Sequence, residues 1–412
     1  MRERRAVKHR RTPAAWVRRG LLAAVAVTVG TICVAQATAL VTVRRNPQSA
    51  YALSLGDGRI TAALADRRMT DSQGKDREAV ALARKALRQD ATAVSAVVVL
   101  GLNAQLRGDG DRAHRLLTYA QTLSRRNVKS LLWAIEDAAA RGDTRGAMQS
   151  YDIALRVSRP MVDVLFPILA SALSDEEVLR EFNRVLIGRP SWAPLFIEYI
   201  ASNGPDPRAG AQVLRSASQR GQPVSGLARA LMTEKLVSRA MSKDGWEFYT
   251  SFRTNARSDT VRDPEFTADL NAPTVFDWQS VAANGLVATI EPGLVAFAAP
   301  AATSGALVQQ LQMLPAGSYR LYGQTSGIER ASENQAYWQL LCREGERELG
   351  RINVPASSHA SGRFAGMITV PENCPIQILR LAVSPSNAIG GINGEIRNIN
   401  IEAVTAFKGN RS

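Results

Sequence analysis

The stretches RGDGDRA at residues 107–113 and RGDTRGA at residues 141–147 match each other and set a period for the middle of the chain. Three series follow this period: Gly74, Gly108 and Gly142; Ala79, Ala113 and Ala147; Ala86, Ala120 and Ala154. Glycine followed by Asp is typical of a turn, and regularly placed alanines let two helices approach closely. The period predicts helix hairpins that stack, because one hairpin cannot bury its apolar face alone.

The three units resemble tetratricopeptide repeats, which have the same period of about 34 residues. We expect an α-solenoid of such helical repeats over residues 50–255, regular at first and more divergent later, with inter-helix turns at Asp175 and Asp206. The resemblance implies a protein partner on the helical-repeat surface, although the fold does not say which one. The aromatic residues expected in hairpin cores are Trp133, Tyr151, Trp192, Phe196 and Tyr199.

A long uncharged segment, Leu21–Val43, precedes the repeats. As a helix it spans about 34 Å, enough for a hydrocarbon core of about 30 Å. Residues 21–43 are therefore predicted to be a single transmembrane signal anchor that contacts the membrane. The positive-inside rule makes residues 1–20 a basic cytoplasmic tail, with the bulk of the chain in the periplasm of a bacterium.

The net charge of +14 belongs mainly to this N-terminal part. Residues 1–45 hold ten of the 51 Lys and Arg and one acid, so the remaining 41 bases face 36 acids. Because basic and acidic residues are nearly balanced in the rest of the chain, its charge does not favour nucleic acid as a partner.

A cleaved signal peptide is the alternative to the anchor. The segments Ala35-Gln36-Ala37 and Ala37-Thr38-Ala39 both fit the small-x-small cleavage pattern. Cleavage would leave a soluble periplasmic protein. Against it stand the long basic lead and the apolar run, which continues to Val43.

The composition changes after about residue 260, where short β-rich runs alternate with Gly, Pro, Asn and Ser. Regular short strands separated by turn signals are typical of an antiparallel β-sandwich. We expect this domain over residues 265–405, followed by a tail of residues 406–412. The fold class is thus multi-domain, α then β.

The β region resembles a carbohydrate-binding-module-like jelly roll of the galactose-binding type. The resemblance is carried by Leu307–Leu311, by Leu314–Leu321 with its Pro-Ala-Gly turn, and by Glu395–Ile401. It implies a sandwich found behind helical repeats in bacterial envelope proteins, in a setting of exopolysaccharide assembly or export. Polysaccharide is therefore an expected partner, and a scaffold role without glycan binding is the rival interpretation.

Trp278, Tyr322 and Tyr337 are the candidate glycan contacts, because sugar sites use aromatic platforms. The alternative is packing. Trp278 is then expected to fill the entry of the sandwich. Side chains alternate between the two faces of a strand, which places Trp338, next to Tyr337, on the core face.

Cys342 and Cys374 lie in the β domain and are expected to form a disulfide in an oxidising periplasm. Two buried free thiols are the alternative.

No catalytic set is apparent, so we expect a non-enzymatic protein without cofactor or metal. A glycan-processing enzyme is the more distant alternative. The acids that it would need, such as Glu329, Glu333 and Glu344, fall in expected loops, where acids are usually solvated.

Overall fold

The structure is a computed structural model that describes residues 13–73, 76–253, 255–268, 271–328, 336–358, 362–385 and 390–404. Helices occupy the N-terminal part and two antiparallel sheets the C-terminal part, which confirms the predicted fold class. The chain divides into two compact units, Met1–Leu165 and Phe166–Ser412, and each is described by itself. The first part of the basic tail, residues 1–12, and all of residues 406–412 lie outside the described residues.

The first helix, α1 (Pro13–Thr42), contains the apolar segment. Its part from Trp16 to Thr42 is long and apolar enough to cross a membrane, by length and composition alone. A signal sequence near an N-terminus meets the same criterion. The helix is therefore compatible with both the anchor and the cleaved signal peptide.

The rest of the first unit consists of short helices in hairpins. They are α2 (Pro47–Leu53), α3 (Gly58–Asp71), α4 (Arg77–Gln89), α5 (Val94–Leu106), α6 (Gly110–Leu123), α7 (Val128–Ala140) and α8 (Thr144–Val157). Consecutive pairs such as α3 with α4, α5 with α6 and α7 with α8 pack against each other.

The turns at residues 107–109 and 141–143 show why the motif recurs. Gly108 and Gly142 have φ of +79° and +72°, a region that favours glycine. The Gly108 N–H donates to the Gln105 carbonyl, which closes the end of α5. The carboxylates of Asp109 and Asp143 then accept N–H groups in the first turns of α6 and α8. One Gly-Asp pair therefore ends one helix and begins the next.

The small residues of the repeat lie between helices. All six periodic alanines are buried: Ala79, Ala86, Ala113, Ala120, Ala147 and Ala154. Gly101 in α5 faces Leu117 in α6, where an added Cβ would stand 2.6 Å from Leu117 Cγ. Gly74, the first glycine of the series, lies outside the described residues.

The second unit begins within α9 and contains further hairpins. The helices are α9 (Met161–Ala172), α10 (Glu176–Ile187), α11 (Ala193–Asn203), α12 (Pro207–Gln219), α13 (Gly226–Ser238) and α14 (Ser242–Thr250). Asp175 and Asp206 cap α10 and α12 as Asp109 and Asp143 cap their helices, at drifting spacing. The predicted turns at these two residues are therefore present.

Aromatic residues fill the hairpin interiors. Trp133 and Tyr151 are buried in the first unit. In the second unit, Trp192 and Phe196 are buried against each other, with ring centroids 6.1 Å apart, and Tyr199 is half-buried beside Phe196. They belong to the packing of the hairpins, as expected.

The β region contains ten strands among the described residues: β1 (Gln279–Ser280), β2 (Val287–Glu291), β3 (Leu294–Ala299), β4 (Gly305–Gln312), β5 (Gly317–Ser326), β6 (Ala336–Cys342), β7 (Arg347–Asn353), β8 (Gly362–Val370), β9 (Gln377–Val383) and β10 (Ile392–Ala403). They form two five-stranded antiparallel sheets, sheet A in the order β1-β4-β9-β6-β7 and sheet B in the order β2-β3-β10-β5-β8. The inner faces of both sheets enclose one apolar core.

Cys342 and Cys374 form the predicted disulfide, with Cα atoms 5.7 Å apart. It links the end of β6 to the loop before β9, and both cysteines are buried. Cys33 in α1 is an exposed free thiol.

Candidate ligand-binding face of the sandwich

The three candidate glycan contacts lie in three different places. Trp278 is 4% exposed in the sandwich core, and its indole N–H donates to the Asp263 carbonyl over 3.0 Å. It is a packing residue, which corrects its candidacy as a glycan contact. Tyr322 is half-buried on the outer face of sheet B, and Tyr337 on the outer face of sheet A.

The outer face of sheet A is divided into an apolar part and a polar part. Leu311, Ile378 and Leu341 are paired across β4, β9 and β6. They pack against Val237 and Tyr249, which belong to α13 and α14. The last helical hairpin therefore covers one end of this face.

One row further along the strands, the outward side chains become polar. The row runs across all five strands of sheet A, and neighbours in it are directly paired: Gln279, Gln309, Arg380, Gln339 and Arg351. Directly paired residues of antiparallel strands project from the same face of a sheet. The row is about 19 Å long, since neighbouring strands lie about 4.8 Å apart. We call it the polar row.

Arg380 stands in the middle of the polar row. Its Nη2 donates to Gln309 Oε1 over 3.3 Å, and its Nη1 lies 3.5 Å from the Glu346 carboxylate. Its Nε is buried without a hydrogen-bond partner in the described part of the chain. A guanidinium has five N–H donors, so Arg380 keeps unused hydrogen-bonding capacity at a fixed position.

Gln339 is the neighbour of Arg380 on β6. It is 8% exposed, and its side chain makes no hydrogen bond to any described residue. Its amide is not among the fully enclosed polar atoms, so the amide tip reaches solvent from an otherwise buried position. Buried polar groups are usually paired, so this amide is suited to a partner that comes from outside the protein.

Arg351 and Tyr337 form the third element of the face. The Arg351 guanidinium lies 4.1 Å from the centre of the Tyr337 ring and donates to Glu348 over 2.8 Å. The hydrogen bond with Glu348 raises the pKa of Arg351, which keeps the guanidinium charged. Tyr337 is paired with Ala382 on β9, which is buried.

Sequence reasoning identified Tyr337 but missed the polar row. Gln339 and Arg380 stand between apolar neighbours, in the segments YWQLL and ILRLA, whereas Gln309 is followed by Gln310 in LVQQL. A single polar residue in an otherwise apolar strand was the available signal. It did not show that the residues of five strands share one row, because that depends on strand order and register.

The outer face of sheet B differs. The Tyr322 hydroxyl donates to Glu402, and this hydrogen bond raises the pKa of Tyr322. Arg320 lies over the Tyr322 ring, at 5.4 Å from its centre. The Tyr322 hydroxyl therefore already has a hydrogen-bond partner within the protein.

Buried polar groups attach α14 to the entry of the sandwich. The Tyr249 hydroxyl donates to Asp277 Oδ1 over 2.8 Å, and Thr274 donates to Asp277 Oδ2 through its N–H and its hydroxyl. Burial, together with the adjacent Asp277, raises the pKa of Tyr249. Burial also lowers the pKa of Arg262 to about 10. These residues serve attachment, since their polar atoms are largely occupied within the fold.

The first unit has an apolar groove of about 400 Å³ between α3, α5 and α7. Its lining residues are Met69, Thr70, Leu102, Gln105, Leu106, Lys129, Leu132, Trp133 and Glu136. Leu106 is 64% exposed there, and Trp133 closes the floor. Such a groove on a repeat protein can accept an apolar side chain of another protein.

Among the described residues, no cluster of three or more His, Cys, Asp or Glu is placed to hold a metal ion. Glu344 is exposed in a short 3-10 turn, as expected for a solvated acid. Glu329 and Glu333 lie outside the described residues.

Comparisons with known proteins give structural likenesses only. No family model and no curated protein matches the sequence. Among solved structures, "CBM4 structure and function" covers 35% of this chain and 99% of its own, at 8% identity and TM-score 0.28. The CBM22-1 xylan-binding domain from Paenibacillus barcinonensis Xyn10C covers 36% and 97%, at 11% identity and TM-score 0.26. PilW, described as a type IV pilus biogenesis factor, covers 48% and 93%, at 14% identity and TM-score 0.25. Scores at this level carry no conclusion about the function of this chain.

Proposed function

We propose that this chain is a non-enzymatic scaffold of the bacterial envelope that binds a polysaccharide on the polar row of its sandwich. The observation that carries the proposal is the alignment of Gln279, Gln309, Arg380, Gln339 and Arg351 across sheet A, next to Tyr337. In this proposal α1 holds the protein at the inner membrane, and the solenoid docks a protein of an exopolysaccharide assembly or export system.

The chemistry of the polar row suits sugar hydroxyls. Each hydroxyl both donates and accepts a hydrogen bond, and the amides of Gln309 and Gln339 offer both functions. Arg351 and Arg380 add donors and are paired with Glu348 and Glu346. A row of about 19 Å is longer than a single sugar ring and therefore favours a chain.

The same geometry argues for binding without hydrolysis. A glycosidase needs two carboxyl groups about 5–9.5 Å apart on either side of the scissile bond. The acids beside the polar row, Glu346 and Glu348, are each paired with an arginine. In these pairs each carboxylate is occupied by a guanidinium group.

Affinity electrophoresis of the full-length protein through gels that contain soluble polysaccharides tests the proposal. We expect retardation in at least one envelope polysaccharide and its loss in Gln339→Leu, which keeps the side-chain volume but removes the amide. Tyr322→Ala, on the opposite sheet, is the matched control and keeps the retardation. Equal retardation of Gln339→Leu and the wild type would refute binding on the polar row.

The groove between α3, α5 and α7 is the proposed docking site for the protein partner, because an exposed leucine and a buried tryptophan line it together. Cross-linking in native membranes followed by purification of the chain identifies the partner. We expect Leu106→Asp to lose the cross-linked partner while it retains polysaccharide binding. Retention of the partner by this variant would place the docking site elsewhere.

The location outside the cytoplasm is part of the proposal. It is supported by the basic flank of the apolar segment and by the Cys342–Cys374 disulfide, which is typical of an oxidising compartment. N-terminal sequencing of the native protein distinguishes the two forms. A start near Thr38 would show cleavage and remove the anchor from the proposal.

A further inference from the structure

The end of α1 is covered by the folded unit, whereas its earlier part is not. Residues 16–34 are exposed along the helix. From Ala35 onward one side becomes covered, and Ala39 is 0% exposed in a cluster with Ala50 and Ile60. The last two turns of α1 are therefore part of the packing of the first helices.

The helix α2 folds back along α1. Only residues 43–46 connect the two helices, and the helices are in contact. Two contacting helices joined by so short a loop form an antiparallel hairpin. The C-terminal end of α2, at Leu53, is therefore directed back towards the exposed part of α1.

The length of the uncovered apolar segment determines how close the C-terminal end of α2 lies to the membrane. Leu21–Val34, between Arg19 and the first covered residue, spans about 21 Å as a helix. A bilayer core is about 30 Å thick. The uncovered segment is shorter than the bilayer core. If α1 crosses the membrane, the core therefore extends to the part of α1 against which α2 packs.

Two large apolar side chains lie at and just beyond this end of α2. Leu53 is 41% exposed and Leu55, just beyond the helix end, is 68% exposed. Ser54, between them, turns its hydroxyl back to the Tyr51 carbonyl. An exposed leucine pair beside a membrane helix matches the apolar edge of an interfacial segment.

We propose that Leu53 and Leu55 enter the lipid bilayer that α1 crosses, so that the end of α2 docks on the outer face of the membrane. This inference rests on the proposed membrane anchoring by α1. The hairpin of α1 and α2 then fixes the orientation of the first repeat relative to the membrane plane, since it has a lipid contact at two points.

Site-specific probes on the full-length protein test this inference. In a Cys33→Ala background, an environment-sensitive fluorophore is attached at Val34→Cys, Leu55→Cys or Leu106→Cys. The proteins are reconstituted in vesicles of phosphatidylethanolamine and phosphatidylglycerol, with and without lipids that carry a nitroxide quencher on the acyl chain. Leu106, 64% exposed in α5, is the matched leucine control.

We expect the probes at positions 34 and 55 to shift their emission to shorter wavelength and to lose intensity with the quencher lipid. The probe at position 106 should not be quenched by this lipid. Quenching at position 34 without quenching at position 55 would overturn the docking of α2 and leave the anchor intact. A blue shift at position 55 without quenching would mean that protein covers it, which also overturns the inference. Absence of quenching at both positions would refute the anchor itself.

Discussion

The hydrogen bond from Tyr249 to Asp277 gives the sharpest test of how the last helix is attached to the sandwich. Tyr249 is 5% exposed in α14, and its hydroxyl donates to Asp277 Oδ1 over 2.8 Å. Tyr249→Phe removes this hydroxyl and little else. The other carboxylate oxygen keeps its two hydrogen bonds from Thr274, so the loop itself should stay in place.

The expected magnitude has two parts. A hydrogen bond to a carboxylate contributes about 1.5–3 kcal/mol, so Tyr249→Phe should lower the free energy of unfolding by that amount near pH 7. The second part depends on pH. Burial raises the pKa of Tyr249 above its ordinary value of 10.0. The unfolded chain loses this proton above about pH 10 while the folded chain keeps it, so stability present below pH 10 falls by up to about 1.4 kcal/mol per pH unit above it.

Urea unfolding of the detergent-solubilised full-length protein, followed by tryptophan fluorescence between pH 7 and pH 11, measures both parts. Trp246 packs 5.5 Å from the Tyr249 ring and reports on this region. The wild type should lose stability above pH 10 more steeply than Tyr249→Phe. Tyr119→Phe, at an exposed tyrosine in α6, is the control. A Tyr249→Phe curve that is parallel to the wild type, with a loss below about 0.5 kcal/mol, would refute the reasoning.

Two further predictions concern stability. Replacement of both Cys342 and Cys374 by Ala should lower the free energy of unfolding of the sandwich by about 3–4 kcal/mol on the chain-entropy model for a separation of 32 residues; an unchanged urea midpoint would contradict it. Gly101→Ala should destabilise the protein by about 1–3 kcal/mol, because its Cβ would meet Leu117 at 2.6 Å. Gly110→Ala, with no atom within 4 Å of the added Cβ, should be neutral or stabilising in thermal melts, and equal effects of the two substitutions would refute the packing argument.

The repeat could be predicted because its signals are local. Glycine ends one helix and the following Asp begins the next, so residues 107–109 and 141–143 contain their own turn in the sequence. The same Asp cap persists at Asp175 and Asp206, although no glycine directly precedes either residue. This is why the hairpins continue where the period of the sequence drifts.

The candidate site was harder to predict because it is not local. Tyr337 and Tyr322 look alike in sequence, yet they lie on different sheets. Arg351 and Gln309 join the same row only through the strand order of sheet A. The strand β1, of two residues, is too short to show any alternation, and it supplies the end of the row.

Isothermal titration of the full-length protein with the polysaccharide that retards it most tests directly whether the polar row is a binding site. A lost hydrogen bond of about 0.5–1.5 kcal/mol corresponds to a rise in Kd of roughly two-fold to ten-fold. We predict such a rise for Gln339→Ala, a similar or larger one for Arg380→Ala, and an unchanged Kd for Tyr322→Ala, and urea unfolding of each variant shows that the protein titrated is folded. An unchanged Kd for both row variants, or a loss confined to Tyr322→Ala, would contradict the proposed binding face.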